Sequence, residues 1–434
     1  MTYRRRGLIL VAGLAVFAAA CGNDSDVDDV AAPANRDEEA AVEETAVVDA
    51  GEENVRAVPE EYDTIQEAVD DAQAGDLVLV SPGVYNEAVL VTTPDIVIRG
   101  LDRNEVVLDG EFERTNAIDV EGADGVVIEN MTARNYTGNG FYWTGVERYR
   151  GSYLTAHNIG VYGIYAFDST TGQIERSYAS GTADAGFYIG QCNPCDAVIR
   201  DVVAEHNGLG YSGSNSGGNL LIVDSVFRNN RAGIVPNTLE SQENPPQRAT
   251  TIVGNLVHDN SNGDTAATED ARLATGNGIL VFGGVDNMIE RNRVVDHDVA
   301  GIALVPGFGE NVWPVEGNVV RDNVVARSAV ADLAAFDEPG AGNCFADNTF
   351  ATAGPANLET LLPCDGEGRG DRSEGALDLG ELARLEDKPP SGDYRQQPTP
   401  GPQGAMPDAA SAPWEPAGPP PEIDLAAIAV PAEP

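Results

Sequence analysis

The sequence has few of the residues that bind phosphate or transition metals. It contains one lysine, Lys388, four histidines and four methionines, and its 26 basic residues are outnumbered by 70 acidic ones, which gives a net charge of −44. An acidic surface repels nucleic acid and anionic lipid, so the composition disfavours both as ligands. We therefore predict no cofactor, no metal site and no nucleic-acid partner.

Long apolar runs are also absent after residue 21, so no membrane-spanning segment is predicted in the mature chain. Residues 1–20 have the layout of a signal peptide, because arginines at 4–6 precede an apolar stretch. The small residues Ala18–Ala20 lead to Cys21, as in a bacterial lipobox, which implies cleavage before Cys21 and its lipidation. We expect a lipid-anchored, extracytoplasmic protein of the bacterial cell envelope. The alternative is ordinary cleavage with an accidental cysteine.

Composition divides the remaining chain into three parts. Residues 21–60 carry thirteen acids and two arginines, which predicts a disordered acidic tether. Residues 365–434 hold half of the 26 prolines from Pro389 onward, which predicts a mostly disordered tail. The folded body is therefore expected at 61–364.

A repeat of about 23 residues organises this body. Its marker positions are Ala117, Gly140, Gly163, Gly186, Gly210 and Gly233 and, after a gap of 45 residues, Gly278 and Gly301. Within each unit, short alternating apolar stretches are separated by Gly, Asn and Asp, and no segment has helical periodicity. Three short strands joined by turns form one coil of a parallel β-helix. A leucine-rich repeat requires a leucine spacing and a helical segment that are absent here. The predicted fold class is therefore an all-β solenoid.

One helix is predicted at the start of the body. Residues 64–74 place four small or apolar side chains on one face, between a capping box and the stop signal Gly75. The capping box consists of Thr64 and Glu67, and the apolar face of Ile65, Ala68, Val69 and Ala72. A solenoid end exposes unpaired strand edges, so we interpret this helix as a cap.

The segment from Thr64 to Val91, TIQEAVDDAQAGDLVLVSPGVYNEAVLV, resembles the opening of pectin-lyase-like right-handed β-helix proteins. The resemblance extends to about residue 350 and implies a right-handed coil. The run DAGFYIGQ at 184–191 is further similar to bacterial β-helix-repeat lipoproteins of unassigned function. Because this fold serves lyases, hydrolases, esterases, epimerases and structural proteins alike, the resemblance does not identify an activity.

The catalytic motifs of these families are missing from the sequence. The Gln-Asp pair and Asp-Phe-Ile-Phe-Gly segment of pectin methylesterases are absent, and residues 167–170 are the nearest match to the Asp-Pro-His-Asp type of alginate epimerases. The Asp70-Asp71 pair lies in the capping helix and does not match the polygalacturonase aspartates. Whether the protein is an enzyme stays open; if it is one, a polysaccharide lyase, hydrolase or epimerase is expected.

Two aligned columns predict a ligand surface. Tyr142, Tyr165 and Tyr188 stand two positions after the repeat glycine and face outward by alternation, whereas Trp143 faces inward. Asp168, Gln191 and Asn215 stand five positions after it. Aromatic faces beside polar groups suit a sugar chain, so these six residues are predicted substrate contacts, with Asp168 as a catalytic acid or base. The alternative is that both columns only stabilise the stacked strands.

Two insertions, 237–248 and 261–276, interrupt the repeat next to the tyrosine-bearing coils. Long loops on a rigid scaffold often carry function, although length also varies freely at solenoid turns. Several charged residues nearby are further candidate acids, bases or substrate contacts, and the sequence does not rank them. They are Asp184, Glu205, Arg231, Glu240, Glu243 and Arg248.

The remaining cysteines fall into two pairs. Cys192 and Cys195 are interpreted as a local disulfide in an oxidising compartment, with a redox motif or half a metal site as alternatives. Cys344 and Cys364 are expected to pair across the C-terminal end of the solenoid.

Two classes of function follow from these observations. The first is an envelope lipoprotein that binds or modifies an extracellular or cell-wall polysaccharide. The second is a non-catalytic scaffold that holds an envelope protein, with the tail as a contact segment. An accessory role in metal-cofactor maturation is a third and weaker option.

Overall fold

A computed structural model describes residues 53–336 and 341–434 of the chain. Three predictions lie outside these residues and stay predictions: the signal peptide, lipidation at Cys21 and most of the acidic tether. Among the described residues, no helix is long and apolar enough to cross a membrane.

Short strands make up most of the body. The first eleven are β1 Val55–Val58, β2 Leu77–Val80, β3 Gly83–Tyr85, β4 Val89–Val91, β5 Val97–Gly100, β6 Val106–Asp109, β7 Ile118–Glu121, β8 Val127–Arg134, β9 Phe141–Thr144, β10 Glu147–Ile159 and β11 Ile164–Phe167. The next eleven are β12 Thr170–Glu175, β13 Tyr178–Thr182, β14 Ala185–Gly190, β15 Ala197–Arg200, β16 Val203–Glu205, β17 Leu209–Ser214, β18 Gly217–Val223, β19 Val226–Arg228, β20 Ala232–Asn237, β21 Arg248–Val253 and β22 Leu256–His258. The last eleven are β23 Asn277–Phe282, β24 Met288–Glu290, β25 Arg293–Val295, β26 Ala300–Val305, β27 Gly307–Phe308, β28 Val312–Trp313, β29 Val319–Arg321, β30 Val324–Ala326, β31 Ala331–Ala335, β32 Cys344–Ala346 and β33 Ala353–Gly354.

These strands form three parallel stacks, which are the three faces of a β-helix. The first stack runs β1, β2, β5, β8, β10, β12, β15, β18, β21, β24, β29 and β32. The second runs β3, β6, β8, β10, β13, β16, β19, β22, β25 and β30, so the long strands β8 and β10 bend through both. The third runs β4, β7, β9, β11, β14, β17, β20, β23, β26, β31 and β33. The predicted solenoid is confirmed.

The repeat glycines mark the closest approach between coils. A Cβ atom at Gly163 would lie 2.6 Å from the carbonyl oxygen of Gly186, and one at Gly210 would lie 2.6 Å from that of Gly233. Real Cβ atoms do not come this close to an oxygen, so only glycine allows the neighbouring coil to stack at this point.

Buried asparagine ladders cross the coils at the turns. The side-chain oxygen of Asn292 accepts hydrogen bonds from both the backbone and the side-chain nitrogen of Asn255, each at 3.0 Å. Asn323 accepts in the same way from Asn292. The same pattern joins Asn207 to Asn230 and Asn260, and Asn287 to Asn318 and Asn343. Each ladder satisfies the buried backbone N–H groups that the turns leave without a strand partner.

The predicted capping helix is α1, Ile65–Asp71. Thr64 caps it by accepting from the backbone of Glu67, and Ile65, Ala68 and Val69 are buried. The first backbone N–H groups of a helix have no partner within it. Here those of Ile65 and Gln66 donate to the carboxylate of Glu87, at 3.0 Å each. The other helices are short: α2 Glu269–Leu273, α3 Leu358–Leu361 and α4 Leu379–Leu382, with 3-10 turns at Leu385–Asp387, Tyr394–Gln396 and Leu425–Ala427.

The predicted start of the body at residue 61 is wrong, because β1 already pairs with β2 in register, Val55 opposite Leu77. Val55, Ala57 and Val58 are buried. This short apolar stretch is surrounded by acidic residues in the sequence. The average composition of the region therefore resembled that of the tether, and the strand was assigned to it.

The prediction of a mostly disordered tail is also wrong. Residues 384–434, here called the C-terminal strap, lie along the solenoid, and five arginines of the solenoid, three of them buried, donate to their backbone carbonyls. Arg231 binds Pro389 and Pro390, Arg103 binds Gly404, Arg99 binds Ala409, Ala412 and Pro413, Arg291 binds Leu425, and Arg293 binds Pro431. Proline has a backbone carbonyl but no backbone N–H group, so a proline-rich segment has more acceptors than donors. The several N–H groups of an arginine side chain can donate to those carbonyls.

Both predicted disulfides are present. Cys192 is linked to Cys195, and Cys344 is linked to Cys364. Sulfur atoms joined in a disulfide are not available as thiolate ligands, so the metal alternative for the first pair is not supported, whereas the redox alternative stays a prediction.

Candidate functional site

The predicted tyrosines form a continuous column on the outward side of the third stack. Tyr142, Tyr165 and Tyr188 are opposite one another on β9, β11 and β14, and adjacent ring centroids are 4.7 and 4.6 Å apart. Trp143 faces inward and is fully buried, as predicted. The spacing of the rings follows from the spacing of parallel strands.

A fourth tyrosine covers this column. The ring of Tyr162 stacks on Tyr165 at 4.5 Å and lies 4.9 Å from Tyr188. In consequence Tyr165 is 8% exposed and Tyr188 only 1%, so the prediction that all three tyrosines face solvent is wrong for these two. Tyr142 and Tyr162 are partly exposed and are the rings that a ligand would meet first. Sequence reasoning missed Tyr162; its position directly before a repeat glycine was the available signal.

Asp184 lies against these rings and has a perturbed acidity. Its pKa is raised to about 7, mainly because burial disfavours the carboxylate, with a further contribution from the negative charge of Asp270. A hydrogen bond from the Tyr162 hydroxyl acts in the opposite direction. Asp270 belongs to α2 in the 261–276 insertion, so the insertion brings a second carboxyl group to the column. Among the unranked charged candidates, the structure thus distinguishes Asp184.

A third carboxyl group lies at the other end of the column, one coil beyond Tyr142. Asp119 on β7 is opposite Tyr142 in register, and burial raises its pKa. One of its oxygens accepts from the amide of Asn116 at 3.0 Å, whereas the other, Oδ1, is buried without a partner among the described residues. We call Asp119, Tyr142, Tyr162, Tyr165, Tyr188 and Asp184 the tyrosine patch.

The tyrosines of the patch are hydrogen-bonding groups rather than bases. Burial raises the pKa of Tyr162, Tyr165 and Tyr188 above the usual value of a phenol. Their hydroxyls therefore remain protonated at neutral pH. The titrating group near neutral pH is Asp184.

The second predicted column has a structural role at two positions. Gly145, Asp168, Gln191 and Asn215 share a positive φ of 62°, 48°, 59° and 50°, so the column marks a left-handed turn. Asn215 donates to the carbonyls of Leu239 and Glu243, each at 2.8 Å, and Gln191 donates to the side chain of Gln242. Both amides are buried and fasten the 237–248 insertion. Their prediction as substrate contacts is therefore corrected.

Asp168 is exposed at the turn that follows β11. The carboxyl group that acts electrostatically on the buried tyrosines is that of Asp184. The catalytic role assigned to Asp168 stays a prediction.

The patch continues into a cavity of about 650 Å³ on the same face. Tyr162 and Asp184 line one end, and aliphatic and aromatic side chains line most of the remainder. In the part of the chain that the structure covers, no group of three or more His, Cys, Asp or Glu residues is arranged to bind a metal ion.

Comparisons with known proteins agree with this architecture. The family model described as right-handed β-helix region matches residues 103–242. The A-module of mannuronan C-5 epimerase AlgE4 from Azotobacter vinelandii is 16% identical, covers 67% of this chain and 91% of its own, and has a TM-score of 0.50. An alginate lyase from Paenibacillus sp. str. FPU-7 is 15% identical, with coverages of 69% and 98% and a TM-score of 0.42. Pectate lyase Pel9A is 15% identical, with coverages of 74% and 82% and a TM-score of 0.39.

No curated protein matches the sequence. At such low identities the structural likeness concerns the fold alone. The family match over residues 103–242, the three parallel stacks and the likeness to the AlgE4 A-module together show that the chain has the right-handed parallel β-helix fold.

Proposed function

We propose that this protein binds, and at Asp184 modifies, an extracellular or cell-wall polysaccharide on the outward side of its third stack. The observation that carries the proposal is the tyrosine patch: stacked aromatic rings beside a carboxyl group whose pKa is about 7. Aromatic faces cover the C–H surface of a sugar ring, and the hydroxyls around them donate to sugar oxygens.

Asp184 is the group suited to proton transfer. At neutral pH, a carboxyl group with a pKa of about 7 is protonated in about half of the molecules and ionised in the rest, so it can act as a general acid or as a general base. Burial keeps that pKa high, and the negative charge of Asp270 raises it further. Lyases, hydrolases and epimerases of polysaccharides all use a group that gives or accepts a proton, so Asp184 favours this set of reactions without separating its members.

The proposal includes a location. A lipid anchor at Cys21 places the solenoid at the bacterial cell envelope, where such polysaccharides occur. The AlgE4 A-module, which shares the fold, is named as a mannuronan C-5 epimerase, and this name supports a polysaccharide as the substrate class.

A glycan-array screen of the full-length protein tests the proposal, followed by product analysis on each glycan that binds. We expect binding to lengthening oligosaccharides of one class, and slow conversion that Asp184→Asn abolishes while binding is retained. The comparison variant is Asp168→Asn, which changes an exposed carboxylate on the same face and should keep the conversion. Conversion that is lost in Asp168→Asn and kept in Asp184→Asn would assign the catalytic role to Asp168 instead. An array without any bound glycan contradicts the proposal and favours the non-catalytic scaffold.

A further inference from the structure

The outward side of the third stack becomes apolar along the solenoid axis. Beyond Tyr188, the outward positions of successive strands are Ser212, Val235, Leu280, Ala303 and Ala334. The side chains thus pass from aromatic and acidic to wholly apolar on one continuous face. The cavity of about 650 Å³ includes both ends, because Asp184 and Ala334 line it.

The apolar end of the cavity is enclosed by other elements. Leu377, Leu379 and Leu382 from the segment around α4 pack over it, and Leu377 and Leu379 contact the cluster of Ala300, Ala303, Val305, Ala331 and Ala334. Phe282 and Phe308 meet edge to face, with ring centroids 5.0 Å apart, on a further wall. Such a lining excludes the hydroxyl-rich part of a polysaccharide, because buried hydroxyls would lack partners there.

The rim of the cavity is also apolar. Leu273, Phe308 and Val330 are 39%, 49% and 38% exposed and all line the opening, and Val312, beside Phe308 on the β27–β28 hairpin, is 72% exposed. Soluble proteins rarely expose large apolar side chains in a group unless a ligand or surface covers them. The rim therefore indicates an apolar ligand that enters from this side.

The dimensions agree with one lipid chain. From Val235 on β20 to Ala334 on β31 there are three coil steps of about 4.8 Å each, so the apolar end is roughly 14 Å long. A hydrocarbon chain in one leaflet spans about half of a bilayer core of roughly 30 Å. Two further steps lead to Tyr188 and Asp184, where a polar head group would lie.

We infer that the ligand is a neutral glycolipid, whose hydrocarbon chain fills the apolar end while its sugar lies on the tyrosine patch. The inference rests on the proposed function and specifies its substrate class. An anionic head group is disfavoured because Asp119, Asp184 and Asp270 surround the polar end and the whole chain carries a net charge of −44.

The test titrates full-length protein with octyl, decyl and dodecyl maltoside below their micelle concentrations, and with maltose. We expect affinity to rise roughly threefold to fourfold per methylene until the cavity is filled. Ala303→Trp fills the cavity and should abolish this chain-length dependence, as should Leu379→Ser, which leaves the solenoid itself unchanged. Val84→Trp, at an exposed site on the second stack, is the control and should retain the dependence.

Three outcomes are distinguishable. Chain-length dependence that is lost in Ala303→Trp and Leu379→Ser, and affinity that falls in Tyr142→Ala, support the inference. Equal affinity for all chain lengths overturns it, and the proposed function survives if array glycans still bind. Chain-length dependence that Tyr142→Ala leaves unchanged shows that the head group does not reach the patch, which overturns the glycolipid assignment.

Discussion

The inside and the outside of the third stack follow the same backbone but have different side-chain requirements. Inside, Phe187, Tyr211, Ile234 and Ile279 occupy one position in successive coils, and all are fully buried and apolar or aromatic. Outside, the neighbouring position changes from tyrosine to serine, valine and leucine over the same coils. Core packing fixes the class of the inward residues. It places fewer demands on the outward residues, so a ligand can determine which side chains occur there.

The largest expected effect concerns the interior. Asn292→Ala removes the acceptor for two buried N–H groups of Asn255 and the donors to Ile252 and Asn323. Each buried group left without a partner costs about 1–3 kcal/mol, so we expect a loss of about 4 kcal/mol in the free energy of unfolding. Urea denaturation measures it. The control Asn219→Gly, at an exposed position of positive φ where the register of β18 shifts, should change stability by less than about 0.5 kcal/mol.

The next effect concerns the strap. Arg99 is 1% exposed, pairs with Glu129 at 2.6 Å and donates to three strap carbonyls. Arg99→Met should cost about 3 kcal/mol, because it leaves a buried carboxylate without its main partner. It should also make the strap sensitive to brief proteolysis.

Arg114→Met, which breaks an exposed pair with Glu111, is the control for the strap. We expect its strap to resist protease as in the wild type. Equal cleavage of the strap in wild type and Arg99→Met would show that the arginine does not fasten it.

A smaller effect is pH-dependent and concerns the patch. The pKa of Asp184 is about 7 in the folded state, above the value of about 3.9 for an unfolded aspartate, so the folded state binds the extra proton between these values. Folding stability should therefore fall as pH rises from about 4 to about 7. The two pKa values alone correspond to about 4 kcal/mol, and because Asp184 is partly exposed, solvent screening should reduce the observed loss to on the order of 2 kcal/mol.

Asp184→Asn removes that slope and should be more stable than the wild type at pH 8. Thermal unfolding of both proteins across this pH range measures the difference. Parallel curves for the two proteins would show that Asp184 titrates normally.

Sequence reasoning reached the fold because its signals are local. The glycine spacing, the alternation of apolar residues and the Thr64 cap each depend on backbone geometry within one coil or between neighbouring coils. The strap was missed because its contacts join arginine side chains to carbonyl groups up to about three hundred positions away, and every residue type supplies a carbonyl.

The site was only partly predictable for the same reason. The tyrosine column follows from the repeat, but the raised pKa of Asp184 depends first on its burial in the folded protein and then on Asp270, which belongs to an insertion outside the repeat. Gln191 and Asn215 were assigned to the ligand because polar residues at equal spacing resemble a binding column. Their positive φ and buried amides show that turn geometry and loop anchoring select them instead.

The most direct test of the central claim compares two tyrosines on different faces. Tyr142 belongs to the patch, whereas Tyr153 is partly exposed on β10, outside the third stack, where Arg176 lies 5.5 Å from its ring. Calorimetric titration with the tightest glycan from the array should show about tenfold weaker binding for Tyr142→Ala, or about 1.4 kcal/mol, because a stacking surface is lost. Tyr153→Ala should bind as the wild type does. Equal affinities for wild type and both variants would contradict the claim that the third stack carries the ligand site.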